Sequence, residues 1–573
     1  MKQFDKVPIK IPAKNVFDLS HDVKSSYNFA NLYPFFCQPI YPGDTFNCRA
    51  EVFLRTMPLL SPVMHNVDMR LYFFFIPNRL VWNENRKKDW KTFITGGEDG
   101  MQNPELPYFT YGDLASVNKK LMKHGSLLDH MGFPSADLGE NAIGDSSKDL
   151  RICSLPFRAY QLVWNEYFRN QNVQNEIEFN YDEGTEKFAG IDGAANIVSL
   201  FTMRKKNWEK DYFTSCLPFA QRGEAVKLPI DFSQVTNADG EIPSQSFNVN
   251  VYNAKKATGT HLPTELRAHT SGGSQMFVAI DDNSTVYTND DQISLIGSAE
   301  GSINLYEGDL TFTGFAVGTI NDFRYCLRLQ QWLENNARCG SRYIEQLLAH
   351  FGVVSSDARL QRPELLGGGK IPLLFSDIPQ QSYGDGSVEA DDVTGNLVGK
   401  GTLYGKTQGF KKNFEEHGII LGLLTIIPRT SYSQGIPRVW TAFDKTDWYF
   451  PEFANLGEQA VLKKELFVQL DKTLETGAEA PDEPFGYQGR FTELRYIPSS
   501  VHGEMRSDLQ FWHFGRLFDA QPALNSDFVT ADPRVNVFAM EDVVESGYDP
   551  FVCQIHLDIK AVRPLPKYAV PTL

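Results

Sequence analysis

The glycine run Gly367-Gly368-Gly369, followed by Lys370, is the part of this sequence most similar to a phosphate-binding loop. Such a loop needs a further glycine upstream and a serine or threonine directly after the lysine. Ile371 stands at that position, so we do not expect the run to cradle phosphate. The sequence has no GxGxxG, GxSxG or HExxH motif, and its eleven histidines are dispersed. We therefore predict that the chain is not an enzyme.

Carboxylates are the second kind of residue with chemical potential. A glycoside hydrolase uses two Asp or Glu side chains around the scissile bond, and the chain has 71 acidic residues. No spacing singles out one pair, so a glycoside hydrolase with β accessory domains is only an alternative. The runs Asp281-Asp282-Asn283 and Asp290-Asp291 could ligate calcium but lack EF-hand spacing. We interpret them as solvated acidic turns and expect no cofactor.

Basic residues form three clusters: Arg86-Lys87-Lys88, Arg204-Lys205-Lys206 and Lys411-Lys412. The second cluster is flanked by the rings of Phe201, Trp208, Tyr212 and Phe213. Cations interleaved with aromatic rings bind single-stranded nucleic acid by phosphate contact and base stacking. Arg204, Lys205 and Lys206 are thus the candidates for a surface that faces nucleic acid. The alternative is an ordinary solvated or interface charge run.

The composition limits the class of protein. The chain of 573 residues has 42% hydrophobic and 22% charged residues, as a globular protein does. Its net charge of −16 argues against a surface that grips nucleic acid everywhere. Aromatic residues reach 13%, with 42 Phe, which favours large cores and subunit contacts.

Targeting segments and cysteines add further limits. No signal peptide is visible, and the apolar stretches 71–76 and 418–427 are too short to span a bilayer. The seven cysteines have no CxxC spacing or clustered partners, so we expect reduced, buried thiols and no zinc site.

Alternation of apolar and polar residues predicts strands at both ends of the chain. Residues 45–55 and 551–561 each place apolar side chains on one face and polar ones on the other. Residues 69–76 form a nearly continuous apolar run, typical of a strand buried on both faces. These strands suggest one sheet system closed by the two termini.

Helical periodicity occurs between the predicted strands. Residues 160–168 carry an amphipathic stripe, residues 320–333 and 343–351 predict two helices broken near Gly340, and residues 113–124 predict a helix capped by Asp113 and stopped by Gly125. The irregular spacing indicates insertions between strands and not a βαβ alternation.

Residues 231–304 differ from their surroundings. They are rich in Ser, Thr, Asn and Gly and contain nine acidic against three basic residues. A connection of this length usually carries contacts or function. We interpret it as a polar, partly β excursion that faces solvent, the alternative being a merely tolerated surface loop.

Collinear blocks along the chain are typical of one viral family: FDLSH at 17–21, YPGDTF at 41–46, FFFIPNRLVW at 73–82, DYFTSCLP at 211–218, RCGSRY at 338–343, HFGV at 350–353, DARLQRPE at 357–364, YFPEFANLGEQ at 449–459 and FGYQ at 485–488. With these blocks the sequence resembles the major capsid protein of the Microviridae, especially the gokushovirus branch. The resemblance covers nearly the whole chain except 231–304 and smaller acidic loops.

The resemblance implies a mainly β fold, an eight-stranded antiparallel jelly roll with long insertions that contain several α-helices. It implies homopentamers that close a T=1 icosahedral shell around a circular single-stranded DNA genome. The partners would be a small basic internal DNA-binding protein, a pilot or minor capsid protein, a scaffolding protein and a host bacterial surface receptor. The location would be the virion, assembled in the host bacterial cytoplasm.

The same resemblance divides the chain. We expect segments of arm, jelly roll and insertion, in the order: N-terminal arm 1–20, first part of the jelly roll 21–228, variable surface insertion 229–318, helical insertion 319–366, remainder of the jelly roll 367–563 and C-terminal arm 564–573. In gokushoviruses the variable insertion forms a protrusion at the three-fold axes and is thought to touch the host. The candidates for this contact are Asn237, Asp239, Lys255, Lys256, Asp281, Asp282, Asn283, Asp290 and Asp291.

A different class of function is a surface β-sandwich lectin or adhesin. It predicts a monomer or small oligomer with a sugar site, whereas a shell protein predicts particles of megadalton mass. The missing signal peptide counts against the lectin.

Overall fold

The computed structural model describes residues 13–84, 88–135, 144–186, 198–224, 226, 236–237, 265–269, 275–280, 286–288, 310–311, 320–340, 342–379, 397–468, 470, 482–540 and 548–568. The chain divides into two compact units. One comprises Met1–Arg222 with Glu334–Leu573, and the other comprises Gly223–Leu333.

Strands account for most of the regular structure of the first unit. In chain order the strands of the described residues in both units are β1 Asn15–Asp18, β2 His21–Tyr27, β3 Tyr33–Ile40, β4 Thr45–Thr56, β5 Val67–Pro77, β6 Asn83–Glu84, β7 Lys88–Asp89, β8 Tyr108–Thr110, β9 Arg151–Cys153, β10 Thr236–Asn237, β11 Glu265–His269, β12 Gln275–Ile280, β13 Val286–Thr288, β14 Leu310–Thr311, β15 Glu364–Pro379, β16 Leu397–Lys406, β17 Phe410–Asn413, β18 Gly418–Pro428, β19 Glu458–Leu462, β20 Pro484–Gly489 and β21 Phe551–Arg563.

The helices are mostly short. They are α1 Asn78–Val81, α2 Trp90–Thr95, α3 Tyr111–Val117, α4 Leu127–His130, α5 Asp145–Lys148, α6 Leu155–Val163 with a π-helical continuation Trp164–Phe168, α7 Ile320–Cys339, α8 Tyr343–Phe351, α9 Lys463–Leu466 and α10 Ser526–Val529. The predicted stripe at 160–168 and the two helices around Gly340 are confirmed, although α7 runs on to Cys339.

The predicted helix at 113–124 is wrong in its bounds. Helix α3 begins at Tyr111, because the hydroxyl of Thr110, and not Asp113, accepts the capping hydrogen bond from the Asp113 amide. The chain becomes extended at Asn118, whose side chain accepts from the Lys120 amide and starts a separate 3₁₀ turn. A second capping residue thus divides the predicted helix in two.

One antiparallel sheet organises the first unit, in the order β1-β21-β4-β16-β15-β5-β18-β3. β2 pairs with β21 beyond β1, and β17 pairs with β4 beyond β16. Each of these pairs is therefore one strand with an interruption, and the sheet has the eight strand positions of a jelly roll. The expected fold class is confirmed.

Gly409 makes one of these interruptions possible. It lies between β16 and β17 with φ of +67°, and a Cβ there would overlap the carbonyl oxygen of Cys48 on β4. Only glycine tolerates both the left-handed backbone and this approach. The bend keeps β16 and β17 in one line along β4.

β15 divides the sheet into two layers. Its residues Glu364–Leu373 pair with β5, and its residues Leu374–Pro379 pair with β16. We call β1, β2, β21, β4, β16, β17 and the end of β15 the first layer. The start of β15, β5, β18 and β3 form the second layer.

The two layers enclose the largest apolar core. Alternate residues of β4 and β21 in the first layer pack with β5 and β18 of the second, among them Val52, Ile555, Phe73 and Ile426. The alternation predicted for 45–55 and 551–561 is confirmed, since every second residue of β4 and β21 is buried.

The outer sides of the layers differ. Helices α1–α4 and α6 pack on the second layer in a further core, which includes Phe74, Leu421, Phe157 and Trp82. The outer side of the first layer carries polar residues. We call it the open face: odd-numbered residues Asn47–Arg55 of β4, even-numbered residues Val552–Lys560 of β21 and their neighbours on β1, β2, β15, β16 and β17.

The cysteines are all free thiols, as predicted. Cys48, Cys216 and Cys553 are buried, whereas the other four are only half-buried, so the expectation of burial holds for three. Burial raises the pKa of Cys553 to about 12, which keeps this thiol protonated and unreactive.

Candidate functional site

The candidate cation Arg204 lies beside the π-helical turn after α6 and is half-buried. Its guanidinium donates to the side-chain oxygen of Gln161 at 2.9 Å and to the hydroxyl of Ser199 at 2.8 Å. It also lies 5.8 Å from the ring of Trp164. Burial lowers the pKa of Arg204, and its donors serve to join neighbouring segments of the protein.

The other two candidates of this cluster have different surroundings. Lys206 donates to the hydroxyl of Tyr72 at 3.0 Å and is half-buried. Lys205 is exposed, and its ammonium lies 2.6 Å from the carboxylate of Asp532. The three neighbours are therefore held by three separate partners, and Lys205 is the most accessible. Their role toward nucleic acid stays a prediction.

An open cleft of about 670 Å³ lies next to Arg204 and Lys205. Trp164 contributes an aromatic wall, while Glu176 and Glu178 add carboxylates to the same lining. Because cations and carboxylates both border it, the cleft has no uniform charge that would attract a polyanion.

The candidates of the variable insertion are only partly described. Asn237 lies at the end of β10 and pairs with Leu310 of β14. Asp239, Lys255, Lys256, Asp281, Asp282, Asn283, Asp290 and Asp291 lie outside the described residues, and so do the two acidic runs considered for calcium. The host-contact prediction therefore stays a prediction.

The glycine run at 367–369 lies inside β15 and forms no loop. A Cβ on Gly368 would overlap the carbonyl oxygen of Leu71 on the neighbouring strand β5. Lys370 forms an ion pair with the buried Asp68 at 2.6 Å. The run serves close strand packing, as the missing loop signature indicated. Within the described residues, no group of three or more His, Cys, Asp or Glu side chains is placed to hold a metal ion.

A surface that was not predicted from the sequence lies at residues 436–456, which we call the aromatic segment. Trp440 is 74% exposed and Phe443 is 90% exposed. Trp448, Tyr449 and Phe450 are each about half exposed. The segment is built from 3₁₀ turns at Arg438–Trp440, Lys445–Asp447 and Pro451–Phe453. Such irregular turns give no sequence periodicity.

Buried ionic contacts hold the aromatic segment in place. Arg438 donates to the carboxylate of Glu465 at 3.0 Å and to the carbonyl oxygen of Ala460 at 2.5 Å. Glu465 is buried and also accepts from the hydroxyl of Tyr212 at 2.7 Å. Burial raises the pKa of Glu465, because it disfavours the charged carboxylate. The hydrogen bonds from its partners offset this cost of burying the charge.

Asp211 fixes the chain at Thr430 and Tyr432, shortly before the aromatic segment. Its buried carboxylate accepts from the hydroxyl groups of Thr430 and Tyr432 at 2.6 and 2.7 Å and from the backbone amide of Thr214 at 2.7 Å. A carboxylate with this many donors fixes the chain around it. The block at 211–218 thus has a structural role, since it ties Thr430 and Tyr432 to Asp211.

The sequence profile of the capsid protein (F protein) family matches residues 6–573. The chain belongs to this capsid protein family. It is 32% identical over 610 residues to the capsid protein VP1 of Chlamydia phage 1, with 100% of this chain and 97% of the relative covered.

Two further relatives from phages agree. The capsid protein VP1 of Bdellovibrio phage phiMH2K is 32% identical over 581 residues, covering 99% of this chain and 97% of the relative. The capsid protein VP1 of Spiroplasma virus 4 is 30% identical over 571 residues, covering 97% and 94%. The resemblance to the Microviridae capsid protein is confirmed.

Membership in the F protein family decides the class of function. The chain is a phage capsid protein, a structural subunit of the virion that assembles with further copies of itself. In the described part of the chain, no helix is long and apolar enough to cross a membrane.

Proposed function

We propose that the chain forms pentamers, and that the pentamers close a T=1 icosahedral shell around a circular single-stranded DNA genome. The family membership and the phage relatives support a shell of identical subunits. We further propose that residues 229–318 protrude at the three-fold axes and touch the host receptor. The acidic, Ser/Thr/Asn-rich composition of this stretch favours an exposed, soluble surface.

The aromatic segment is the single observation that carries the proposal. Its five large rings expose roughly 600 Å² if each ring has about 200 Å² to bury. A typical protein–protein contact buries about 800 Å² on each partner, so the exposed area of these rings amounts to most of one such contact. The rings are Trp440, Phe443, Trp448, Tyr449 and Phe450.

Firm anchoring makes this surface suited to assembly. Because Arg438 and Glu465 fix the turns before any partner arrives, little conformational entropy is lost when the rings are buried. The binding free energy of each contact can then be modest, since many copies of the contact act together in a closed shell.

The net charge supports a second protein inside the shell. A subunit at −16 cannot neutralise packaged DNA. We propose a small, very basic internal DNA-binding protein, together with a pilot protein, a scaffolding protein during assembly and a host surface receptor. Assembly would take place in the host bacterial cytoplasm.

Arg204, Lys205 and Lys206 stay our sequence-based candidates for an inner, DNA-facing surface. Lys205 is the informative position, because replacing Arg204 would also break its bonds to Gln161 and Ser199. If Lys205→Gln leaves genome packaging unchanged, the cluster has only a structural role.

The experiment is sedimentation followed by electron microscopy of the purified protein. We expect uniform small isometric particles from the natural chain and no particles from Trp440→Ser/Phe443→Ser, whose circular dichroism should match that of the natural chain. Met101→Ser removes an equally exposed apolar side chain outside the segment and is the matched control. A natural chain that stays monomeric under all conditions would contradict the proposal.

A further inference from the structure

The open face combines exposed rings with cations in one plane. Phe53 on β4 and Tyr404 on β16 are cross-strand neighbours, and they are 40% and 67% exposed. The guanidinium of Arg55, two residues along β4, lies 5.1 Å from the centre of the Phe53 ring. Two large rings on the solvent side are unusual for an antiparallel sheet whose strands otherwise place mostly polar residues on that side.

The charge of the open face is opposite to that of the whole chain. β4 and β21 supply three cations: Arg49, Arg55 and Lys560. Their neighbours on β2, β16 and β17 supply Lys24, Lys400, Lys406 and Lys411. The carboxylates on the same face are Asp18, Asp22, Glu51 and Asp558. The face is therefore net positive on a subunit whose net charge is −16.

Few of these cations form an ion pair within the described residues, although Asp558 lies opposite Arg49 and Asp18 lies opposite Lys560 on the neighbouring strands. Lys406 pairs with Glu51 at 2.6 Å, and a ring nitrogen of His556 lies 2.7 Å from the carboxylate of Asp22. The remaining six Lys and Arg residues form no ion pair with another residue in the described ranges. Arg49 and Arg55 lie six residues apart on β4, which places them about 20 Å from each other. The ring pair lies between them.

This arrangement fits single-stranded nucleic acid better than other partners. Unpaired bases stack on exposed rings, and cations placed beside the rings contact the phosphates. The described strands of the open face carry neither a helix nor a projecting ribbon that could enter the groove of a duplex. Such binding needs no sequence preference, which suits contact with a whole genome.

We propose that the open face binds single-stranded DNA, with Phe53 and Tyr404 stacking on bases and Arg49 and Arg55 holding phosphates. The inference rests on the proposed function, because a shell that encloses single-stranded DNA presents that ligand to its inner surface. It assigns the contact to a surface different from the Arg204 cluster, whose three cations are held by internal partners.

The test measures binding of a fluorescent oligo(dT) to unassembled full-length subunits, separated from particles by sedimentation, by anisotropy at several salt concentrations. Arg49→Gln/Arg55→Gln should weaken binding at least tenfold at low salt. It should also reduce the slope of log K against log salt by about 1.4, since each phosphate contact to a single strand contributes about 0.7. Phe53→Leu/Tyr404→Leu should weaken binding about tenfold with an unchanged slope, because stacking releases no counterions.

The matched control is Lys119→Gln/Lys120→Gln, which removes two exposed cations from a 3₁₀ turn away from the open face. It should bind like the natural chain. Unchanged binding in both open-face variants, or no binding by the natural chain, would overturn the inference. So would loss of particles in these variants with oligo(dT) binding intact, because the face would then be a contact between subunits.

Particle formation by the natural chain, followed by electron microscopy, reports on the shell separately. If the natural chain forms particles but its unassembled subunits do not bind oligo(dT), the open-face inference alone is rejected. Absence of both would reject the proposed shell as well.

Discussion

The two layers of the jelly roll share one core but differ on their outer sides. In the first layer, β4 and β21 alternate between buried and exposed residues. In the second layer, all eleven residues of β18 are buried, and β5 is nearly so. A continuous apolar run is usually associated with parallel sheets. Here it occurs in an antiparallel sheet, so the pattern reports how many sides of a strand are covered.

The covering on the second layer comes from the segment between β5 and the end of the π-helical turn at Phe168. Helices α1–α4 and α6 place aromatic and aliphatic side chains against the outer side of β5 and β18. The first layer has no such cover in the described residues, and its outer side is polar and net positive. The outer side of the first layer is therefore available to a ligand.

The largest expected effect compares two phenylalanines that both point outward from their layers. Phe74 on β5 is buried under the helices, and Phe53 on β4 is exposed on the open face. Phe74→Ala should lower the free energy of unfolding by about 4 kcal/mol, because it leaves a cavity between sheet and helices. Phe53→Ala should lower it by less than about 1 kcal/mol. Chemical denaturation of the purified subunits measures both.

Equal losses in the two variants would contradict the difference between the layers. Phe73→Ala is the reference for the shared core, since Phe73 is buried between the layers. It should behave like Phe74→Ala and not like Phe53→Ala.

A smaller effect depends on pH and on His130, at the end of helix α4. His130 packs against the rings of Tyr27 and Tyr33, and burial lowers its pKa to about 4. The unfolded chain takes up a proton as the pH falls below about 6.5, while the folded chain stays neutral until about 4. Stability is therefore fully present above about pH 6.5 and is lost between there and about 4, by up to about 3 kcal/mol.

The matched variant is His130→Phe, which keeps a ring in the same stack but cannot be protonated. Unfolding midpoints at pH 7 and pH 4.5 should differ less in His130→Phe than in the natural chain. An identical acid loss in both proteins would show that other groups, carboxylates among them, account for it.

Strand periodicity allowed much of the fold to be predicted, for a physical reason. The patterns of apolar residues at 45–55, 69–76 and 551–561 predict whether one or both faces of each strand are buried. The pairing of β15 with β5 cannot be predicted from such patterns, because these strands are separated by nearly 300 residues and any antiparallel strand offers the same hydrogen bonds. The jelly roll was therefore predicted only through the resemblance to a family, and the order of its strands was not predicted.

The site was less predictable than the fold. Local clustering drew attention to Arg204, Lys205 and Lys206, but their partners Gln161, Tyr72 and Asp532 are distant in sequence. The cations of the open face come from β2, β4, β16, β17 and β21, so only sheet register brings them together. The aromatic segment was missed because irregular turns have no period.

The smallest expected effect compares two aliphatic residues three positions apart on β21. Ile555 is buried in the shared core, and Val552 is half exposed on the open face. Ile555→Val should cost about 1 kcal/mol, because one methylene is lost from a packed site. Val552→Ala should stay within about 0.5 kcal/mol, although it removes two methyl groups. If the larger deletion proved the costlier one, the outer side of the first layer would be packed against something in the subunit, and it could not serve as a surface for DNA.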